Sequence, residues 1–337
     1  MTLGIIWYAL IALLIGGYAV LDGFDLGVGA LYPFVAKTEQ EKGALRTSIG
    51  PVWDGNEVWL LTGGGALFAA FPAVYATVFS GFYLALMIVL FCLIFRAVSL
   101  ENRSSGTWTP FWDWAFFVGS ALPALLFGVA MGNIVRGVPL DANGEFAGDF
   151  FTLLNPFALL IGLLSLSMFV THGAAWAALK SEGALRSRAA AVRSAAHWVF
   201  VALVVVATAA TALWVSDQPP RVLANPLGWV MLVLLVGGIV YTRLSIARDG
   251  DGGALLGSGV GILGLVGLVA VGNYPNLVPA LDAPARSLTI SNSASSHLTL
   301  TVMLIIAIIG VPIVLAYTAL VYRSFWGRVS AGDPAGH

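Results

Sequence analysis

Two pairs of carboxyl groups lie inside stretches of this chain that are otherwise apolar. Asp22 and Asp25 are three residues apart in the first stretch, and Asp54 and Glu57 are three residues apart at the start of the second. That spacing places the members of each pair on one side of a helix. A charged side chain near the middle of a bilayer costs on the order of 2.5 to 3.5 kcal/mol, so acids that persist there usually move protons, bind ions or pair with a buried base.

Arg96 ends the third apolar stretch and is the candidate base for these acids. Carboxyl groups that lie close together in a poorly hydrated site can accept and pass on protons near neutral pH, which indicates a proton route. The alternative is that the same residues lie in the interfacial zone, where they pair with Arg96 or cap helices and only hold the bundle together. The residues alone leave both interpretations open.

The composition is that of a polytopic membrane protein. The chain is 59% hydrophobic and 10% charged, whereas a soluble domain carries about a quarter charged residues. Its net charge is −1 and it has no basic run, so nothing indicates a nucleic-acid partner. The single cysteine, Cys92, excludes an intrachain disulfide. Apolar sequence follows Met1 directly, without a basic region or a cleavage site, so we expect a retained span and no signal peptide.

Apolar runs of about 20 residues predict nine membrane-spanning helices in one integral membrane domain, residues 1–337. The predicted spans are residues 3–30, 51–70, 75–98, 112–134, 154–179, 190–215, 226–246, 255–272 and 298–322. The fold class is therefore all-α. The connections are too short for a separate soluble domain, so we expect the function to lie within or at the edge of the bilayer.

Basic residues are strongly biased to one side of this nine-span arrangement. The odd-numbered connections and the C-terminal tail hold thirteen: Lys37, Lys42, Arg46, Arg96, Arg103, Lys180, Arg186, Arg188, Arg193, Arg243, Arg248, Arg323 and Arg328. The opposite side holds Arg136, Arg221 and Arg286. Because lysine and arginine accumulate in cytoplasmic loops, this bias predicts an external N-terminus and a cytoplasmic C-terminus.

Other residue patterns are less specific. His172 and His197 fall near cytoplasmic ends and would be the haem ligands of a self-sufficient cytochrome b, but no supporting pattern accompanies them. Glycines in the first two spans permit close helix contact, or an ion site in an unwound helix. These glycines are Gly16, Gly17, Gly23, Gly27, Gly29, Gly63, Gly64 and Gly65. No phosphate-binding loop, nucleophile elbow or metal-binding histidine motif is present, so no catalytic residue or metal ligand is assigned.

Several motifs in a fixed order resemble subunit II of the cytochrome bd-type quinol oxidases. The densest are GYAVLDGFDLGVG at residues 17–29, WDGNEVWL at 53–60, GGALFAAFP at 64–72, FSGFY at 79–83 and FR at 95–96. The similarity continues more thinly at residues 113–114, 132–133, 137–139, 154–157 and 295–300. The stretch 216–225 is short for the family, and Glu57 stands where a glutamine would also fit.

The resemblance implies two four-helix bundles plus one peripheral helix, in the bacterial cytoplasmic membrane. In that family subunit I carries two b-type haems, the d-type haem and the quinol-oxidising site. The complex oxidises quinol and reduces dioxygen to water with protons taken from the cytoplasm. Subunit II is expected to bind no haem alone, to stabilise subunit I and to contribute to proton or oxygen access. Some members hold a quinone as a structural lipid, and a small accessory subunit and membrane lipid are further partners.

Match to the family motifs implies roles for individual residues. Asp54 would be the acid of the proton route, and Trp59 would shape an apolar passage for oxygen. The polar surroundings of that route would be Glu57, Asp22, Asp25 and Arg96. The residues themselves also fit a proton-coupled secondary transporter, which would use the same acids and glycine-rich helices.

Overall fold

Helices make up nearly all of the regular structure. The computed structural model describes residues 2–103 and 107–329. The helices are α1 (Thr2–Val35), α2 (Glu39–Ile49), α3 (Trp53–Ala70), α4 (Pro72–Gly81), α5 (Tyr83–Asn102), α6 (Thr109–Arg136), α7 (Pro156–Lys180), α8 (Gly183–Trp214), α9 (Gln218–Ala224), α10 (Pro226–Ala247), α11 (Asp251–Asn273), α12 (Ile290–Ser293) and α13 (His297–Ser324). Two short antiparallel strands, β1 (Asn276–Val278) and β2 (Leu288–Thr289), pair in the connection before α12.

Within the described residues, eight helices are long and apolar enough to cross a membrane: α1, α5, α6, α7, α8, α10, α11 and α13. The predicted second span is α3, which lies antiparallel against α1. Its first turns carry three polar side chains, Asp54, Asn56 and Glu57, which lower its mean hydropathy. The predicted all-α polytopic fold is confirmed, and the number of long helices agrees with the expected set of about nine.

The eight long apolar helices and α3 form two groups of four with one helix outside. In the first group, α1 packs against α3 and α6, and α5 packs against α6. In the second group, α7 packs against α8 and α11, and α10 packs against α11. The groups meet where α1 contacts α7 and α11 and where α6 contacts α7. Helix α13 lies outside both, and Leu300 is its one buried residue among those described.

The predicted third span, residues 75–98, is wrong at its start. The structure places two helices there, because α4 ends at Gly81 and α5 begins only at Tyr83. Phe71, between α3 and α4, has a non-helical backbone (φ −137°, ψ 67°), and Pro72 then begins α4. The Thr77 hydroxyl of α4 donates to the carbonyl of Gly144 in the connection after α6, at 2.9 Å. Helix α4 therefore lies beside the connection that follows α6 and is not part of a membrane-spanning helix.

The first connection contains α2, which begins with a capping box. The Thr38 side chain accepts a hydrogen bond from the Glu41 amide, and the Glu41 carboxylate accepts one from the Thr38 amide, both at 3.2 Å. Arg46, in the last turn of α2, donates to the Tyr32 hydroxyl of α1 at 2.7 Å. We call the end of the molecule that carries α2 the α2 end. The C-termini of α1, α5, α7, α10 and α13 lie at this end.

Candidate functional site

A buried ion pair joins α1 to α5 near the α2 end. Arg96 donates from Nη1 to Oδ2 of Asp22 at 2.9 Å and from Nη2 to Oδ1 at 2.5 Å. Both side chains are completely buried. Gly119 of α6 permits this placement, because a Cβ on Gly119 would lie 2.9 Å from the backbone nitrogen of Arg96. Bidentate pairing of this kind gives a strong and directional contact between a guanidinium and a carboxylate.

Two further carboxyl groups face the same guanidinium. Asp25 Oδ2 lies 3.9 Å from Arg96 Nη2, and Glu57 Oε1 lies 3.4 Å from Arg96 Nη1. If all three acids are ionised, three negative charges face one positive charge, which leaves a net charge of −2 in a buried space. Such an excess is costly in a medium of low polarity, so the cluster favours the uptake of protons. Asp22, Asp25, Glu57 and Arg96 form what we call the acid cluster.

Glu57 is the member of the acid cluster that reaches the surface. Its side chain is 23% exposed, whereas the side chains of Asp22, Asp25 and Arg96 are 0% exposed. Several polar atoms of the cluster have no hydrogen-bond partner within the described residues: Asp25 Oδ1, Glu57 Oε1 and Arg96 Nε. Buried polar atoms without a partner are uncommon in folded proteins, and these three lie together at one site.

The sequence did not reveal that Asn56 belongs to this site. Its Nδ2 donates to Asp25 Oδ2 at 2.7 Å and to the Leu21 carbonyl at 3.0 Å, and its Oδ1 accepts from the Tyr322 hydroxyl at 3.0 Å. Asn56 is 2% exposed. Its place between Asp54 and Glu57 in one polar turn was the available signal, whereas nothing in the sequence linked Tyr322 of α13 to it.

Asp54 lies outside the acid cluster. Its side chain is exposed on the first turn of α3, and it makes no hydrogen bond or ion pair with any residue in the described ranges. Three residues on a helix correspond to a rotation of about 300°, so Asp54 and Glu57 point about 60° apart, and α1 covers the side that carries Asn56. The sequence predicted contact of Asp54 with Asp22, Asp25 and Arg96, and the structure brings Glu57 there instead.

Trp59 packs against α1. A Cβ on Gly17 would lie 2.7 Å from Cζ3 of the Trp59 indole, so this glycine makes room for the ring. Gly23 makes room in the same way for the Phe169 ring of α7, at 2.8 Å. Helix α1 remains helical from Thr2 to Val35 through all of its glycines. These glycines serve helix packing.

Other ionic groups at the α2 end are balanced by bases. Asp251 of α11 accepts from Arg193 Nη1 at 2.6 Å and from Arg186 Nε at 2.8 Å. Asp113 of α6 accepts from Arg103 Nε at 2.6 Å and from Lys42 Nζ at 2.7 Å. Each of these carboxylates has two cationic partners, whereas the acid cluster has three carboxyl groups for one cation.

Glu39 extends the network around Asp113. Arg103 Nη2 donates to Glu39 Oε2 at 2.6 Å, and this hydrogen bond lowers the pKa of the Glu39 carboxyl. Because Glu39 stays ionised, the network joins α2 to α5 and α6 as a set of ion pairs. It stabilises the end of the bundle and offers no group that exchanges protons near neutral pH.

His172, one of the two candidate haem-ligating histidines, does not fit that role. His172 Nδ1 lies 2.7 Å from Ser258 Oγ of α11, and His172 Nε2 lies 3.0 Å from the Val20 carbonyl of α1. Both ring nitrogens are therefore engaged in hydrogen bonds between helices. His197 is 2% exposed within α8. His172 joins α1, α7 and α11, and no step of a mechanism is assigned to a haem on this chain.

Comparisons with known proteins place the chain in a family. The family model described as cytochrome bd terminal oxidase subunit II matches residues 3–325. The chain is 39% identical to the probable cytochrome oxidase subunit 2 of Haemophilus influenzae, with 97% of this chain and 95% of that protein covered. It is 37% identical to the cytochrome bd-I ubiquinol oxidase subunit 2 of Escherichia coli K12, with 98% and 96% covered.

Two further similarities agree with this placement. The chain is 34% identical to the cytochrome bd ubiquinol oxidase subunit 2 of Bacillus subtilis, with 98% of this chain and 97% of that protein covered. The fold is similar to a chain of the bd oxidase structure from Geobacillus thermodenitrificans, with a TM-score of 0.80, 18% identity, and 96% of this chain and 99% of that chain covered. At that identity the structural match supports the fold alone.

Proposed function

This chain belongs to the family of cytochrome bd terminal oxidase subunit II, and we propose that it is the non-haem subunit of a membrane complex that oxidises quinol and reduces dioxygen to water. Subunit I of that complex would carry two b-type haems, the d-type haem and the quinol site, so this chain would have no complete active site of its own. The engagement of His172 in contacts between helices supports this division of labour. A structural quinone, a small accessory subunit and membrane lipid remain predicted partners.

The exposed side of α3 supports a contact with subunit I. Leu61 and Phe68 on α3 are 72% and 59% exposed, and Phe91 on α5 is 54% exposed. Asp54 is also exposed on α3, and a carboxylate is costly against hydrocarbon. Contact with a protein partner would cover the apolar side chains and also accommodate Asp54, and such a contact would stabilise the haem-bearing subunit.

We also propose that the acid cluster forms part of a route for protons from the cytoplasm. Its excess of carboxyl groups favours proton uptake, and Glu57 connects the buried acids to the surface. Asp54 lies one turn before Glu57 and would be the first acid to meet a proton. The order of the route is then Asp54, Glu57, and the buried pair Asp22 and Asp25 beside Arg96. Trp59, packed on α1 just beyond Glu57, would line the passage for oxygen.

Turnover per haem d in purified complexes tests the route. We expect Asp54→Asn to slow quinol-driven oxygen consumption by roughly tenfold or more while haem content stays normal, because the amide keeps the shape and removes the titration. We expect at least as large a loss for Glu57→Gln, because Glu57 is the member of the acid cluster that reaches the surface and lies between Asp54 and the buried acids. Asp217→Asn is the matched control, because Asp217 is an exposed acid at the end opposite α2.

Two outcomes would contradict the proposal in different ways. Normal turnover in a well-assembled Asp54→Asn complex would remove Asp54 from the proton route. Absence of haem from every preparation that contains the chain would contradict the oxidase assignment and favour the proton-coupled transporter.

A further inference from the structure

The Asn56 side chain makes three hydrogen bonds, which use both donors of its amide nitrogen and one acceptor position of its oxygen. Its two N–H groups donate to Asp25 Oδ2 and to the Leu21 carbonyl, and its oxygen accepts from the Tyr322 hydroxyl. An asparagine amide offers two donors on nitrogen and an acceptor oxygen. The side chain is therefore held on three sides, by α1 twice and by α13 once.

The orientation of this amide follows from its partners. A backbone carbonyl can only accept, so the atom of Asn56 that faces Leu21 must be the nitrogen. The same nitrogen faces Asp25 Oδ2, and Oδ1 then faces Tyr322, whose hydroxyl donates. The alternative flip would set two carbonyl oxygens against each other at the Leu21 position.

This orientation distinguishes the two oxygens of Asp25. Oδ2 receives the Asn56 N–H at 2.7 Å and also faces Arg96 Nη2 at 3.9 Å. Oδ1 has no hydrogen-bond partner within the described residues. A proton on Oδ2 would oppose the Asn56 donor and the Arg96 charge, so a proton on Asp25 is more stable on Oδ1.

We propose that Asn56, oriented by Tyr322, is a positioning residue that keeps Oδ2 of Asp25 as an acceptor and directs proton uptake and release to Oδ1. This inference rests on the proposed proton route through the acid cluster. No bond other than the O–H bond of Asp25 forms or breaks in the step, and the proton comes from and returns to the route. The peripheral helix α13 thereby contributes a residue to the site.

Aromatic packing holds Tyr322 in this role. Its ring meets the rings of Phe24 and Trp176 edge to face, with centroid distances of 6.3 Å and 6.1 Å. Phe24 and Trp176 are themselves stacked at 4.0 Å. Tyr322 and the neighbouring Val321 pack against buried residues of α1 and α7, so this end of α13 is held against both groups of helices.

Tyr18 of α1 lies beside Asp22 and is a further titratable group at the acid cluster. Asp22, Arg96 and Glu57 are members of the acid cluster, and Tyr322 reaches Asp25 through Asn56. His172, on the α7 side, is bonded to Ser258 and to the Val20 carbonyl. None of these groups donates a hydrogen bond to Asp25 Oδ2, which Asn56 alone does among the described residues.

Infrared difference spectra of the purified complex test the inference, together with the pH profile of oxygen consumption. The C=O band of protonated Asp25 is identified by its loss in Asp25→Asn. In Asn56→Leu we expect that band at higher wavenumber, because the carbonyl oxygen Oδ2 has lost its donor. We expect the pH profile to shift to higher pH by about one unit, since an N–H donor favours the carboxylate over the acid.

Tyr322→Phe removes a single hydroxyl and keeps the aromatic packing, so it tests the inference even if Asn56→Leu fails to assemble. We expect smaller shifts of the band and of the pH profile in the same directions. Tyr317→Phe is the matched control on the same helix, because Tyr317 is 62% exposed, and we expect both readouts to be unchanged.

The outcomes separate this inference from the function on which it rests. If Asp25→Asn slows turnover but Tyr322→Phe and every assembled Asn56 variant keep the wild-type band and pH profile, the positioning role is overturned and the proton route stands. If turnover is unchanged in Asp25→Asn, Asp25 is not part of the proton route, and the positioning role of Asn56 is overturned as well.

Discussion

Three carboxyl groups surround Arg96 in a buried site. The stability of the folded chain does not by itself require this arrangement. The desolvation of buried charges offsets much of their mutual attraction, and replacing a whole buried ion pair with apolar side chains is often neutral or stabilising. Removing one partner is different, because the remaining charge stays buried without compensation. The acid cluster is therefore better explained by proton chemistry than by the energy of the Arg96 and Asp22 pair.

Replacement of Arg96 tests whether the acid cluster is held as a buried ionic unit. Arg96→Gln leaves Asp22, Asp25 and Glu57 without a counter-charge, and we expect a loss of about 3 to 5 kcal/mol in stability. The yield of assembled complex and its thermal unfolding temperature measure the effect. Arg96→Lys should lose less, since it keeps the charge but not the two parallel hydrogen bonds.

Arg221→Gln is the control for that experiment. Arg221 is 42% exposed and pairs with Asp217, which is 80% exposed, at 3.5 Å. Surface pairs of this kind contribute about 0 to 1 kcal/mol, so we expect a nearly normal complex. Equal stability of the Arg96→Gln and Arg221→Gln complexes would show that the acid cluster is not held as a buried ionic unit.

At the scale of elements, the two bundles meet through a close crossing of α1 and α7. A Cβ on Gly27 of α1 would lie 2.8 Å from the Cα of Gly173 on α7, and it would also overlap the Phe169 carbonyl. The neighbouring atoms belong to backbone, so they cannot move aside as a flexible side chain can. This crossing brings α7, with Trp176 and His172, against the helix that carries Asp22 and Asp25.

Gly27→Ala should therefore separate α1 from α7. We expect a loss of about 1 to 3 kcal/mol from overpacking, seen as reduced yield and a lower unfolding temperature of the complex. Gly237→Ala is the control, because a Cβ there meets nothing within 4 Å on the exposed side of α10. Alanine is the better helix former, so Gly237→Ala should be neutral or stabilising. A Gly27→Ala complex as stable as the Gly237→Ala complex would contradict the close crossing.

The limits of sequence-based prediction differ from element to element. Hydropathy predicted the long helices well, because a bilayer requires about 20 apolar residues per span. It missed the break at Phe82, since the residues on both sides are apolar and hydropathy does not register a change of direction. The residue pair Asn56 and Tyr322 is separated by 266 positions, and no local pattern indicates a contact over that distance.

For the whole molecule, the two ends differ in charge. The thirteen basic residues assigned to the odd-numbered connections and the tail fall at the α2 end, and Arg136, Arg221 and Arg286 fall at the opposite end. If the α2 end faces the cytoplasm, as this bias predicts, the acid cluster lies on the side from which the proposed route takes its protons. The orientation is thus a premise of the proton route and can be tested independently.

Labelling of single cysteines in intact cells tests the orientation. Glu182 and Asp282 are exposed at opposite ends, and the native Cys92 is only 7% exposed. We expect a membrane-impermeant maleimide to label Asp282→Cys in intact cells and Glu182→Cys only after the membrane is opened, because a cytoplasmic α2 end shields Glu182. The unmodified chain is the control and should stay unlabelled. Labelling of both variants in intact cells would contradict the arrangement of spans, and the reverse pattern would place the α2 end outside, where the acid cluster could not draw protons from the cytoplasm.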